Sequence, residues 1–213
     1  MLLMVVSGRK NGNSGKGKTP KAKNRNAVIK DCTKKLSYDP RNIGALTALG
    51  DLYFTEQNYE KAQPLYASLF GLAKFHPDIN QVQIPLRFGI CSYKQKKMDE
   101  ALQGFAEALK NDSKNYDANF YMSKLMFEKK EYEKALLCAR RAVLVRPDNM
   151  EAEKILGSSL YGLKKYKESL PHLKKVIDED PTDKEALFYI ASAMEDAGMA
   201  DKAVSYTHLR AHE

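Results

Sequence analysis

Tryptophan is absent from this sequence of 213 residues, and only three cysteines and four histidines occur. An odd number of cysteines without a CxxC pair excludes a disulfide scaffold and a thiolate zinc site. We therefore predict that Cys32, Cys91 and Cys138 are reduced packing residues in a cytosol-like compartment. No apolar run approaches the roughly 20 residues that a membrane-spanning helix needs.

Catalytic patterns are absent as well. His76 and His172 are the only histidines before the last few residues, and neither is placed to face a cysteine or serine across a helix pair. His208 and His212 have the i, i+4 spacing of metal ligands but have no third ligand near them in the sequence. The sequence therefore predicts no enzyme activity, no small-molecule substrate, no cofactor and no metal.

The positive charge is confined to one end of the chain. The formal net charge is +8, but residues 1–26 contain seven cations and no acid, which leaves 28 cations against 27 acids in the remainder. A nearly neutral remainder has no electrostatic footprint for a polyanion. Nucleic-acid binding is therefore not favoured for the folded part. The composition of residues 1–26 predicts a disordered basic tail.

An internal repeat of 34 residues organises the rest of the sequence. Small residues recur at this spacing at Gly89, Ser123, Gly157 and Ala191, and a second small position follows the same period. An earlier copy begins at Ile43 and has five extra residues around its end. Apolar residues within each copy have the three- and four-residue spacing of amphipathic helices, and no segment alternates with period two. Each copy is therefore predicted to be a pair of helices. The copies span residues 43–81, 82–115, 116–149, 150–183 and, incompletely, 184–204.

This pattern resembles the tetratricopeptide repeat, in which Leu-Gly, Tyr, Ala, an aromatic residue and Pro recur at fixed positions of a helical hairpin. The usual Trp is missing from every copy. The matching residues are Leu46, Leu49, Gly50, Tyr53, Ala62 and Tyr66 in the first copy, Phe88, Gly89, Ala101, Phe105 and Ala108 in the second, and Leu156, Gly157, Leu160 and Pro181 in the fourth. The resemblance implies an all-α, right-handed superhelical solenoid of stacked antiparallel helix pairs, with about four and a half repeats.

The small residues are predicted to let the two helices of each hairpin approach closely, with Gly50, Gly89, Gly157 and Ala191 facing Ala62, Ala101, Ser169 and Ala203. Residues 27–42 are predicted to hold the second helix of a degenerate preceding repeat. Because the last copy would stop without a polar capping helix, we expect the native protein to continue beyond residue 204. Residues 205–213 resemble a translated cloning adapter and are predicted to be a non-native tail.

By the same resemblance, the first helices line a concave groove that binds an extended peptide or a partner's helix. The sequence therefore predicts a non-catalytic scaffold for a protein partner. The repeat phase assigns the following residues to the groove: Phe54, Leu86, Ile90, Tyr93, Phe120, Lys124, Phe127, Lys154, Ser158, Tyr161, Phe188 and Ser192. One subclass of the family clamps a C-terminal carboxylate with Lys and Asn. Thr47 and Asp51 occupy those positions here, so a chaperone tail is not expected as the ligand.

One stretch matches the phosphate-binding loop pattern GxxxxGK[ST], with Gly12, Gly17, Lys18 and Thr19 at its defining positions. That chemistry requires a strand before the loop and an apolar-faced helix after it. Pro20 and a polar, lysine-rich run follow instead, so we interpret the match as a decoy. Nucleotide or nucleic-acid binding through the basic tail is the third-ranked hypothesis.

The first six residues are apolar and are followed by cations, as at the cytoplasmic end of a membrane helix. If the true start lay upstream of Met1, residues 1–6 would be the remnant of an N-terminal anchor. The second hypothesis is accordingly a membrane-tethered assembly factor. We expect a cytoplasmic protein, or one at the cytoplasmic face of a membrane.

Overall fold

A computed structural model describes residues 20–199, with side chains from residue 24 onward. The described residues form ten helices and no strand, as the all-α prediction requires. The helices are α1 (Pro20–Tyr38), α2 (Ile43–Thr55), α3 (Tyr59–Ala73), α4 (Gln83–Lys94), α5 (Met98–Asn111), α6 (Tyr116–Glu128), α7 (Tyr132–Val145), α8 (Met150–Gly162), α9 (Tyr166–Glu179) and α10 (Lys184–Asp196).

Each helix packs mainly on the helices before and after it in the chain, which is the arrangement of a solenoid. The strongest contacts are within the predicted hairpins α2–α3, α4–α5, α6–α7 and α8–α9. The first helices of neighbouring hairpins also contact each other, from α4 to α6, α8 and α10, and the second helices of the described hairpins have no comparable contact. The array therefore bends toward its first helices. We call the face formed by α2, α4, α6, α8 and α10 the inner wall.

The helix boundaries follow from local chemistry. The first helices α2, α6, α8 and α10 begin after an Asn or Asp whose side chain accepts a hydrogen bond from the third backbone N–H of the helix, which satisfies a donor that the helix leaves unpaired. The turn inside each hairpin uses one residue with positive φ. That position holds Gln57, Lys96, Lys130, Lys164 and Gly198, of which only the last is the glycine that this conformation favours.

Buried side chains fill the spaces between hairpins. In every copy, the residue at the position where the family usually has Trp is buried. The residues at this position differ between copies and include Asn119 and Glu153. The Glu153 carboxylate lies 2.8 Å from Nδ1 of His172 and 2.7 Å from Nζ of Lys175, both on α9. This cluster links α8 and α9, the two helices of the fourth hairpin. His172 is therefore engaged in a contact within the fold.

The small residues lie where the helices approach closely, and a Cβ on Gly89 would lie 3.2 Å from the carbonyl oxygen of its predicted neighbour Ala101, but larger side chains come nearer. A Cβ on Gly50, Gly89 or Gly157 would lie nearest to Tyr66, Phe105 or Leu173 respectively. These side chains are four residues beyond the alanines and serine predicted to face the glycines. The difference arises because a long side chain covers the turn on the N-terminal side of its own Cα. Ala203, the predicted neighbour of Ala191, lies outside the described residues.

Helix α1 begins at Pro20, so the prediction of disorder through residue 26 was wrong for residues 20–26. Cys32 packs with Ala45 and Leu49 of α2, and the guanidinium of Arg25 is hydrogen-bonded to the carboxylate of Glu56. These contacts fix the middle of α1, and the helix extends from there toward its N-terminus. Several predictions concern residues outside the described range: the apolar residues 1–6, the loop match at Gly12, Gly17, Lys18 and Thr19, and the tail 205–213 with His208 and His212.

Candidate functional site

Polar contacts link the first helices across the inner wall. The hydroxyl of Tyr93 donates to the carboxylate of Glu128, and the hydroxyl of Tyr161 donates to Asp196 at 3.1 Å. Tyr161 is 68 residues after Tyr93, and Asp196 is 68 residues after Glu128, so the same contact recurs two repeats later. Burial is the larger cause that raises the pKa of both tyrosines, and the hydrogen bond to the acid raises it further. The hydroxyls therefore remain donors at neutral pH.

This tyrosine–acid ladder is interrupted between α6 and α8. The equivalent positions hold Phe127, which has no hydroxyl, and Gly162, which has no side chain. A Cβ on Gly162 would lie 2.7 Å from ring atoms of Tyr132, so the ring occupies the space that an acidic side chain would need. The α6–α8 step therefore lacks the polar bond that joins α4 to α6 and α8 to α10.

A cavity of about 250 Å³ lies at this interruption. Its apolar lining comes from Phe127 on α6 and Ile155 on α8, and charged side chains surround its mouth. We call this cavity the notch. The residues that line it are Lys124, Phe127, Glu128, Glu151, Lys154, Ile155, Ser158 and Glu185.

The two lysines of the notch are already paired with acids of this chain. Lys124 of α6 is bonded to Glu151 of α8. Lys154 of α8 lies 2.9 Å from Asp183 and 3.2 Å from Glu185, at the start of α10. Burial disfavours the charged form of Lys154, but the hydrogen bonds to both acids outweigh it and its pKa is raised. Burial opposes ionisation of Asp183, yet the bonds from Lys154 and from backbone N–H groups lower its pKa.

Ser158 contributes an unsatisfied polar group to the notch. Its side chain is 2% exposed, and its hydroxyl has no hydrogen-bond partner among the described residues. A buried hydroxyl without a partner costs free energy. The hydroxyl oxygen is closed off from solvent, so this cost falls on the packing behind the notch.

Four of the predicted groove residues line the notch: Lys124, Phe127, Lys154 and Ser158. Another four are buried between hairpins, so their assignment to an open groove was wrong. Leu86, Ile90 and Tyr93 pack against α6, and Phe120 packs against α8. The repeat phase places these residues on the correct side of their helices, but the next first helix covers them.

The remaining predicted residues lie along the inner wall outside the notch. Phe54 is half-buried, with the guanidinium of Arg87 5.4 Å from its ring centroid. Tyr161 and Ser192 are half-buried, whereas Phe188 is 42% exposed and its ring contacts Tyr189.

Glu151, Glu185 and Ile155 are notch residues that the sequence analysis missed. A signal for the two acids was present, because Glu151 and Glu185 are 34 residues apart in the first turns of α8 and α10. The groove assignment began at the fourth or fifth residue of α4, α6, α8 and α10, so these two acids were not considered.

Other chemistry has little support in residues 20–199. No group of three potential metal-ligating side chains occurs there, and no helix in this range is long and apolar enough to cross a membrane. The three cysteines are free and buried, as predicted. Burial raises the pKa of the Cys91 thiol to about 12 and also raises that of Cys138, which is the opposite of what a nucleophilic cysteine needs.

Replacing Asp183 with asparagine is expected to lower the free energy of unfolding by about 1 kcal/mol at pH 7, because the charged pair with Lys154 is lost. Asparagine should still cap α10, as Asn149 caps α8. The lowered pKa of Asp183 means that its charge stabilises the fold above the ordinary aspartate pKa of about 4, and that this stabilisation is lost as the pH falls.

The difference between the two proteins should therefore shrink as the pH falls below about 4 and vanish once Asp183 is protonated in the folded protein. Urea unfolding monitored by circular dichroism over a series of pH values tests this. A difference that stays constant with pH would contradict the assigned role of the pair.

Family models described as "Tetratricopeptide repeat" match residues 43–76 and 92–157. Among solved structures, the chain is similar to YrrB, described as a TPR protein with an unusual peptide-binding site, at 18% identity and a TM-score of 0.71 over 84% of this chain and 90% of that one. It is also similar to MamA AMB-1 at 17% identity and a TM-score of 0.71 over 81% and 91% of the two chains. Another MamA structure has 20% identity and a TM-score of 0.68 over 79% and 89%.

Proposed function

The chain belongs to the tetratricopeptide repeat family, and on that premise we propose that it is a non-catalytic scaffold that binds an extended peptide or a helix of a partner protein along its inner wall. The single observation that carries this proposal is the notch. It lies where the α6–α8 step has Phe127 in place of a hydroxyl-bearing tyrosine, and it has an apolar lining and a polar mouth. Small concave sites of this kind suit one apolar anchor side chain surrounded by polar contacts.

The chemistry of the notch supports binding and not catalysis. Its lysines are engaged by Glu151, Asp183 and Glu185, and its only hydroxyl, on Ser158, has no neighbouring base within hydrogen-bond distance among the described residues. A nucleophile without a base lacks the minimum arrangement for covalent catalysis. The solved structure of YrrB, whose description mentions a peptide-binding site, shares this fold and adds support for a peptide ligand.

Two photo-crosslinking positions can test the location of the partner. A photoreactive phenylalanine analogue at position 188 lies on the inner wall, and the same analogue at position 144 lies on the opposite side, where Leu144 is 83% exposed on the second helix α7. In an extract of the source cells, we expect position 188 to crosslink one defined protein, and mass spectrometry to map the crosslink to one segment of it.

The matched variants are Phe127→Ala at the notch and Leu144→Ala on α7. We expect Phe127→Ala to abolish the crosslink from position 188 and Leu144→Ala to leave it unchanged, with circular dichroism confirming helicity in both. A partner that crosslinks only from position 144, or whose capture ignores Phe127→Ala, would refute the proposed site.

A further inference from the structure

We infer that the notch selects a partner segment in which a lysine or arginine lies next to the apolar anchor, and that it rejects acidic segments. This inference rests on the proposed function and adds the chemistry of the ligand. It comes from the interruption of the ladder together with the charges around the cavity.

The mouth of the notch has an excess of negative charge. Glu128, Glu151 and Glu185 line it directly, and Asp183 lies behind Lys154. Against the three lining carboxylates stand two ammonium groups, those of Lys124 and Lys154. The sum over the lining residues is therefore one negative charge, although the chain as a whole has a net charge of +8.

Exposure shows which sign of charge faces a ligand. The side chains of Glu151 and Glu185 are 50% and 53% exposed, whereas those of Lys124 and Lys154 are 26% and 20% exposed. A carboxylate has two oxygens and about four lone-pair sites, so a paired glutamate can accept a further donor. The ammonium groups are turned toward the acids that bind them. A ligand at the mouth of the notch therefore meets carboxylate oxygens.

The apolar part of the ligand is fixed by the interior of the cavity. Phe127 and Ile155 provide apolar contact, and the Ser158 hydroxyl lacks a partner. The volume of about 250 Å³ lies just below the roughly 300–1,000 Å³ typical of small-molecule sites and can admit one side chain. The structure thus favours one aliphatic or aromatic residue inside and a cation at the mouth.

Three fluorescein-labelled peptides of twelve residues test this selection. Each has one central leucine, and the flanking positions hold four lysines, four glutamines or four glutamates. Fluorescence anisotropy with the full chain at low salt is expected to rank them in that order, with the lysine peptide bound at least about tenfold more tightly than the glutamate peptide. The preference should shrink at high salt, where exposed charges are screened.

Non-specific electrostatic attraction would give the opposite ranking, because a chain with a net charge of +8 attracts the glutamate peptide. The double variant Glu151→Gln, Glu185→Gln is expected to reduce the preference for lysine to less than about threefold. The control double variant Glu133→Gln, Glu179→Gln makes the same change in net charge at exposed acids on second helices and should retain the full preference.

Four results would overturn the inference. They are equal affinity for the three peptides, preference for the glutamate peptide, no binding of any peptide at millimolar concentration, and a preference that responds equally to both double variants. Sedimentation velocity provides a fifth test. If the chain self-associates and this self-association disappears in the Glu151→Gln, Glu185→Gln variant, the notch binds a second copy of the chain and the inference is wrong. None of these results depends on the crosslink from position 188, so the two proposals can fail separately.

Discussion

Replacing Phe105 with alanine is expected to lower the free energy of unfolding by about 3–5 kcal/mol. The ring is completely buried, lies against Gly89 of the preceding helix and stacks on Tyr121 of the next hairpin with 5.8 Å between ring centroids. It therefore belongs to two packing interfaces at once. Removing it leaves a cavity that neither interface can close without moving a helix.

Phe75 provides the matched control, because it is 80% exposed and the same substitution there should change stability by less than about 0.5 kcal/mol. Urea unfolding of the two variants and the wild type measures both values. Similar effects at the two positions would show that α5 does not pack as described.

Replacing Gly104 with alanine is expected to destabilise the fold by about 1–3 kcal/mol, although alanine is the better helix former. The added Cβ would lie 2.6 Å from the carbonyl oxygen of Pro85 and 2.7 Å from the backbone nitrogen of Gly89. Backbone atoms cannot rotate away as a flexible side chain can. Helices α4 and α5 must therefore separate, which also loosens the packing of Phe105.

Gly71, near the end of α3, gives the opposite expectation. Nothing lies within 4 Å of a Cβ at this position, so Gly71→Ala should stabilise the protein by about 0.5–1 kcal/mol through helix propensity. Thermal and urea unfolding of both variants test the contrast in sign. If Gly104→Ala also proved stabilising, the close approach of α4 to α5 would be disproved.

The architecture was predictable because its determinants are local or periodic. Small residues 34 apart fix the hairpin length, and Asn149 and Asp183 mark the helix starts in the sequence itself. Gly104 was not recognised as a close contact, because its neighbours are backbone atoms 15 and 19 residues earlier. A pattern of side chains in the sequence does not reveal where two helix backbones come into contact.

The candidate site was only partly predictable for a related reason. The repeat phase gives the direction in which a residue points, but the depth at which it lies depends on the next hairpin. Phe120 and Lys124 are one turn apart on α6, yet Phe120 is buried against α8 and the Lys124 side chain reaches the notch. The notch combines Phe127 of α6 with Ile155 of α8. Neither residue is informative until the two hairpins are placed side by side.

The interruption of the tyrosine–acid ladder means that the polar links along this wall can vary independently of the architecture. Phe127 lines the notch, and Tyr132 fills the space beside Gly162. A tyrosine and an acid at positions 127 and 162, with a smaller residue at 132, would continue the ladder. The converse changes at Tyr93 and Glu128 would remove the bond between α4 and α6. A few side chains, and not the number of hairpins, thus determine which neighbouring first helices are joined by a polar bond.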